Sequence, residues 1–184
     1  LETLYKNIHQ EIIDQCRKGS QKAQFQLYKL YYKAMYSVSL RIVNDECEAE
    51  DVMQEAFLNA FNKIDTYKGE VSFGAWLKKI VINRSLDCLK KRKAKFEEVN
   101  ERTMEVPDFG DTTADININT IKKAIKCLPD GYRTILSLYL IEGYDHDEIS
   151  EILGISNAAS RTQYSRAKSK LRELLKGKEM FSYN

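Results

Sequence analysis

The residues of this chain that could do chemistry fall into a few clusters, and none has the spacing of a catalytic centre. The two histidines, His9 and His146, are far apart in sequence and build no obvious metal site. The four cysteines, Cys16, Cys47, Cys88 and Cys127, form no CxxC pair. Scattered small apolar residues in a reducing compartment are expected of them, rather than disulfides or a zinc site. Six acids lie between Asp45 and Glu55 with no base among them. Carboxylates at 46, 50 and 51 could converge, but nothing completes a coordination shell. Two readings of that stretch remain open. It is a solvated helix N-terminus favoured by the helix dipole, or a docking face for a basic partner. No paired histidines, glycine-rich phosphate loop or nucleophile arrangement is present, so no enzyme, catalytic residue, metal, cofactor or small-molecule substrate is predicted.

The sharper chemistry is cationic. In "EISEILGISNAASRTQYSRAKSKL", Glu148 to Leu171, an apolar helical pattern breaks at Gly154 and restarts at once. Asp145 can cap the first helix, with Glu148 three residues on as in a capping box. Ile149, Ile152 and Leu153 give it an apolar face. Gly154 permits a left-handed turn, Ile155 plugs the junction and Ser156 caps the next helix. This is the helix-turn-helix pattern. On the second helix Ser160, Tyr164, Ala167, Leu171 and Leu174 share one face. The opposite side shows Asn157, Ala158, Arg161, Thr162, Ser165 and Arg166. Residues 157–178 hold seven bases against one acid, which favours DNA over an ordinary hairpin with a solvated face. Arg can pair bidentately with guanine, while Thr, Ser and Asn serve base edges or phosphates. Ser160 is the odd member, a polar residue where a core aliphatic is usual.

The elements that must position these groups are helical throughout. Periodicity predicts a helix over 20–43, capped by Ser20, with Phe25, Tyr28, Tyr32, Met35, Val38 and Ile42 on one face. A second carries Val52, Ala56, Phe57, Ala60 and Phe61 and ends near Ile64. The loop "DTYKGEVS", 65–72, follows, with Gly69 able to take positive φ. A third helix runs from Phe73 to about Lys93 and buries Phe73, Trp76, Leu77, Ile80 and Val81. A weaker helix precedes these, around 5–17. Residues 96–118 lose helical periodicity and contain Pro107 and Gly110, as a linker would. Further helices fit 119–127, 131–141, 146–153 and 157–176, with Pro129 between the first two and Gly143 closing the second.

The expected fold is therefore all-α, with two helical domains, 1–95 and 119–184, joined by a linker over 96–118, the second ending in the helix-turn-helix. Charge is segregated in the same way: +5 over 1–95, −6 over 96–118 and +3 over 119–184. No apolar run approaches the roughly 18 residues of a membrane span, and the start has no secretory apolar segment, so a cytoplasmic protein is expected. From 78 to 95 eight cations face Asp87 alone, on a helix whose apolar side suits a bundle core better than a membrane surface. Tyr67, Phe73 and Trp76 suit stacking on unpaired bases or a place in the core. Trp76 is assigned to the core, and Tyr67 is left open.

With these residues in view, the chain resembles the extracytoplasmic-function (group four) bacterial sigma factors over nearly all its length. "AEDVMQEAFLNAFNKIDTYKGEVSFGAWLKKIVINRSLDCLKK" looks like region two, and "LPDGYRTILSLYLIEGYDHDEISEILGIS" followed by "SRAKSKL" looks like region four. "SRTQYSRAK" departs from the commoner Thr-Val-Lys-Ser-Arg pattern, which bears on −35 base preference. The resemblance implies an initiation factor that carries core RNA polymerase to promoters. Asp51, Gln54 and Glu55 would dock the β′ clamp helices, and region four would meet the β flap. Tyr67, Lys68, Gly69 and Ser72 would belong to a loop capturing a flipped −10 base, with Asn83 nearby on the next helix. Asn157, Arg161, Thr162, Ser165 and Arg166 would read the −35 element. The acidic linker would thread toward the RNA exit path, and an anti-sigma factor would hold the protein silent. The alternatives are a stand-alone helix-turn-helix regulator, which leaves the first domain without a role, and a sigma mimic that titrates an anti-sigma factor, which needs no basic recognition helix.

Overall fold

The computed structural model describes residues 8–97 and 118–180, with side chains described over 8–93 and 118–175. The chain divides into two compact units, Leu1–Lys95 and Phe96–Asn184. The first holds α1 (Gln10–Arg17), α2 (Gln21–Val43), α3 (Glu46–Asn62) and α4 (Phe73–Glu97), with a 3₁₀ turn at Ile64–Thr66. The second holds α5 (Ile118–Lys126), α6 (Asp130–Leu136), α7 (His146–Leu153) and α8 (Asn157–Met180), and α6 runs on into a π-helical turn at Ser137–Ile141. Among the described residues there is no strand, as an all-α fold requires. α4 reaches Glu97 and α5 begins at Ile118, so helix takes in both ends of the predicted linker; residues 98–117 lie outside the described residues, as do 1–7, which include 5–7 of the predicted first helix.

Local chemistry sets these boundaries. The Ser20 hydroxyl accepts the Ala23 amide at 3.3 Å and opens α2, a cap contributing about 1 kcal/mol. Asn44 at φ 58° closes it, a left-handed conformation that Asn tolerates better than most residues. The Asp45 carboxylate then accepts the Glu48 amide at 2.9 Å and starts α3. Ala49, Ala56 and Ala60 are fully buried on α3, and α2 packs against that helix. Leu27, Val38, Ile42, Phe57, Leu77 and Ile82 fill the remaining core. Ser85 donates to the Val81 carbonyl at 2.8 Å and lies 3.4 Å from the Ser39 hydroxyl, so the buried polar contact between α4 and α2 is satisfied.

Four expectations of the apolar pattern need correction. Phe25 is 57% exposed and faces away from the core, with the Lys29 ammonium 4.6 Å from its ring. Leu27, two residues on and therefore about 200° round the helix, takes the inward position. Trp76, Ile80 and Phe61 are half-buried at the edges of the core. All four cysteines are free, but Cys47 is exposed, while burial raises the thiol pKa of Cys16, Cys88 and Cys127.

Candidate nucleic-acid interface

The helix-turn-helix is fixed by its caps. The Asp145 carboxylate accepts the amides of Asp147 at 2.9 Å and Glu148 at 2.8 Å, and the Glu148 carboxylate accepts the Asp145 amide at 2.9 Å, completing the capping box. Gly154 takes φ 65° and ψ 39°, and the Ile155 amide donates back to the Ser150 carbonyl at 3.0 Å. The Ser156 hydroxyl accepts the Ala159 amide at 3.1 Å and opens α8. Ile149, Ser160 and Ala167 are fully buried between α7, α8 and the rest of the unit, while Ile155 is half-buried.

Ser160 has a specific reason to be small and polar. Its hydroxyl lies 2.9 Å from His146 Nδ1, joining the first turn of α7 to α8. His146 stacks on Tyr139 at 4.8 Å, and Tyr164 packs on Tyr139 at 4.4 Å and edge-on to His146 at 5.5 Å. His146, the partner of Ser160, thus belongs to a three-ring cluster that includes Tyr164, one of the residues expected on the inward face of α8. An aliphatic residue at 160 would displace that stack and leave the imidazole without this partner. Sequence periodicity marks the position as inward but carries no sign of a partner 14 residues away.

The opposite face of α8 is open. Arg161, Thr162, Ser165 and Arg166 are exposed, and Asn157 is half-exposed at its start. Asn157 is tied at both ends of its amide. Its Nδ2 donates to Asp147 at 2.5 Å, and its Oδ1 accepts Arg161 Nε at 2.7 Å. Thr162 spends its hydroxyl proton on the Ala158 carbonyl at 2.9 Å, leaving oxygen lone pairs and a methyl outward. The guanidinium of Arg161 is thus held along one edge, and its two terminal nitrogens remain for a carbonyl, ring nitrogen or phosphate.

In the first unit the predicted loop runs from the 3₁₀ turn to α4. Tyr67 is 2% exposed. Its ring packs on Phe73 at 5.6 Å and Trp76 at 5.4 Å, and its hydroxyl donates to the Val71 carbonyl at 2.6 Å. Its ring is therefore turned inward and holds the loop from beneath, rather than standing out for stacking. Gly69 takes φ 79°, Lys68 is exposed, and the Ser72 hydroxyl accepts the Ala75 amide at 3.2 Å to open α4. Asn83 is exposed ten residues beyond Phe73, about 15 Å along α4 at the usual rise. At that distance it does not line the loop itself.

On α3 the side chains of Asp51, Gln54 and Glu55 are exposed together. Gln54 donates to Glu50 at 3.3 Å. Leu58, 65% exposed, lies one turn further along the same face, an apolar neighbour that the charge pattern gave no reason to single out. Burial first, and then the nearby carboxylates of Glu46 and Glu50, raise the Tyr36 phenol pKa. Glu48 is engaged elsewhere, in an ion pair with Arg92 of α4, which also donates to the Val43 carbonyl at 2.9 Å. Among the described residues no three potential ligands gather to hold a metal, and no helix is long and apolar enough to cross a membrane.

An exposed cationic face on a helix-turn-helix, carried by one of two helical units, has the chemistry of a DNA-binding protein. Residues 27–95 match sigma-70 region 2, and residues 118–171 match sigma-70 region 4. The chain belongs to the sigma-70 family, in its extracytoplasmic-function class, and is a promoter-recognising transcription initiation factor. It is 31% identical to the ECF RNA polymerase sigma factor SigW of Bacillus subtilis, over 89% of this chain and 95% of that protein. It is 27% identical to the RNA polymerase sigma-H factor of Pseudomonas aeruginosa, over 86% of this chain and 89% of that one. Its fold is similar to CnrH in complex with the cytosolic domain of CnrY, with a TM-score of 0.56 and 25% identity over 90% of this chain and 96% of that one. It is also similar to the sigma factor RpoE of Bartonella quintana in complex with the anti-sigma factor NepR, with a TM-score of 0.60 and 23% identity over 82% and 95%.

Proposed function

We propose that the two units divide the work of promoter recognition on core RNA polymerase, in the cytoplasm and with no cofactor. The face of Asp51, Gln54 and Glu55 docks the β′ clamp helices. Loop residues Lys68, Gly69 and Ser72 receive a flipped base of the −10 element, with Tyr67 supporting the loop and Asn83 continuing the path of the strand. Flipping costs a few kcal/mol, which a fitted pocket offsets. α8 enters the major groove of the −35 element, where Arg161, Thr162, Ser165 and Arg166 contact bases and phosphates and Asn157 orients Arg161. The second unit meets the β flap, the acidic segment 96–118 follows the RNA exit path, and an anti-sigma factor covers the polymerase-binding surfaces until a signal arrives.

The observation that carries this reading is α8: Ser160 and Ala167 are buried on its back, and four polar or cationic side chains stand together on its open face. Run-off transcription with purified core polymerase on genomic fragments tests it. Discrete start sites are expected only when the chain is present, and Arg161→Ala or Arg166→Ala should weaken protection of the −35 region. Tight duplex binding without polymerase, and no change in start sites with it, would instead favour a stand-alone regulator.

A further inference from the structure

We propose that Arg17, on α1, is a positioning residue for the loop 67–72 and thereby sets how firmly the −10 strand is held. α1 precedes the sigma-70 region 2 match, which begins at residue 27. Arg17 Nη2 donates to the Tyr67 carbonyl at 2.5 Å, across 50 residues of sequence. Its Nη1 donates to Asp14 Oδ1 at 3.0 Å, and Gln10 donates to the same oxygen at 2.9 Å. The guanidinium is thus oriented from its own helix before it reaches the loop, and its side chain is 31% exposed, partly shielded from solvent. A charged donor on a carbonyl makes one of the stronger hydrogen bonds available to a backbone.

The place of that bond gives it consequence. Tyr67 is the first residue of the loop, and its phenol already pins the Val71 carbonyl near the loop's end. Its ring is seated on Phe73 and Trp76 at the start of α4. With Arg17 on its carbonyl, Tyr67 is gripped at ring, hydroxyl and backbone. The peptide joining it to Lys68 is then fixed, and so is the direction in which Lys68 and Gly69 leave the core. Removing the guanidinium withdraws a charged donor from that peptide without altering α8 or the acidic face of α3. The effect should therefore appear at the −10 strand alone, because loose placement of a binding loop costs affinity where that loop acts.

The inference rests on the reading of 67–72 as the −10 loop, and the experiment separates the two. Holoenzyme made from core polymerase and the full chain is titrated with a single-stranded non-template oligonucleotide carrying the −10 element mapped by run-off transcription. A duplex −35 oligonucleotide and core association are measured in parallel, with thermal melting as the folding control. Arg17→Ala is expected to weaken the single strand by about five-fold or more, with −35 and core binding at wild-type values. Equal single-strand affinity, or a uniform loss on all three probes, overturns the positioning role. If Arg17→Ala melts early, Arg17→Met keeps the packed stem without the donor, and the same three affinities decide. A wild-type holoenzyme that starts RNA at its promoter but ignores the single strand would sink the loop reading itself.

Discussion

Asn157 and Arg161 make a sharp case because the structure gives them different jobs on one helix face. If Arg161 reads DNA, its removal should cost about 1–3 kcal/mol of promoter binding. Asn157 is spent internally, on Asp147 at 2.5 Å and on Arg161 Nε at 2.7 Å. Its contribution then comes from limiting the freedom of an arginine whose rotamers are worth about 2 kcal/mol in full. Only one edge of the guanidinium is held and the site is exposed, so a quarter to half of that is reasonable, about 0.5–1 kcal/mol or roughly two- to five-fold in affinity. The test is a double-mutant cycle of Asn157→Ala and Arg161→Ala in holoenzyme, read by fluorescence anisotropy on a duplex containing the mapped −35 element at one fixed salt concentration. In the Arg161→Ala background the cost of Asn157→Ala should fall within about 0.3 kcal/mol of zero. If Asn157→Ala costs the same factor in both backgrounds, Asn157 touches DNA on its own account and the orienting role is wrong.

Arg166 stands free on the open face, and Arg166→Ala should flatten the log–log salt dependence of promoter binding by about 0.9 if its contact is a phosphate, measured by titration across a salt series. Ser160→Leu should destabilise the second unit by about 1–3 kcal/mol through displacement of the Tyr139–His146–Tyr164 stack, and Ser160→Ala by about 1 kcal/mol through loss of the His146 partner alone. Thermal melting should rank them in that order. Gly154→Ala meets open space at its new Cβ, so its cost is the left-handed backbone alone, about 1–2 kcal/mol, or about 4–8 °C per kcal/mol in the melting of a small unit. Reversing Asp51 and Glu55 to Lys should slow association with core polymerase by about ten-fold at low salt, the defect shrinking as salt rises in stopped-flow mixing.

Caps and turns were legible because their chemistry is local. Ser20, the Asp145–Glu148 box, Gly154 and Ser156 each act within a few residues, and each does in the structure what its type and spacing imply. The inward face of α8 was legible as a direction, but its contents were not. His146 reaches Ser160 across the turn, a contact that periodicity along either helix does not encode. Phe25 failed for a related reason: spacings of three and four allow a helix stripe to drift, and only packing against α3 shows where its centre lies. Tyr67 was balanced between base stacking and burial because a loop aromatic suits both. What decides it is a triangle with Phe73 and Trp76 and a guanidinium 50 residues upstream. The acids of α3 split in a way charge counting could not foresee, with Glu48 drawn to Arg92 while Asp51 and Glu55 stay outward.

The chain has a single tryptophan, Trp76, half-buried with its indole 5.4 Å from the Tyr67 ring at the foot of the loop. The unlabelled protein therefore carries an intrinsic emission reporter beside the loop that the proposed function gives to the −10 strand. A change in its colour or quenching on mixing with nucleic acid would time the engagement of that loop directly, with no dye to perturb it.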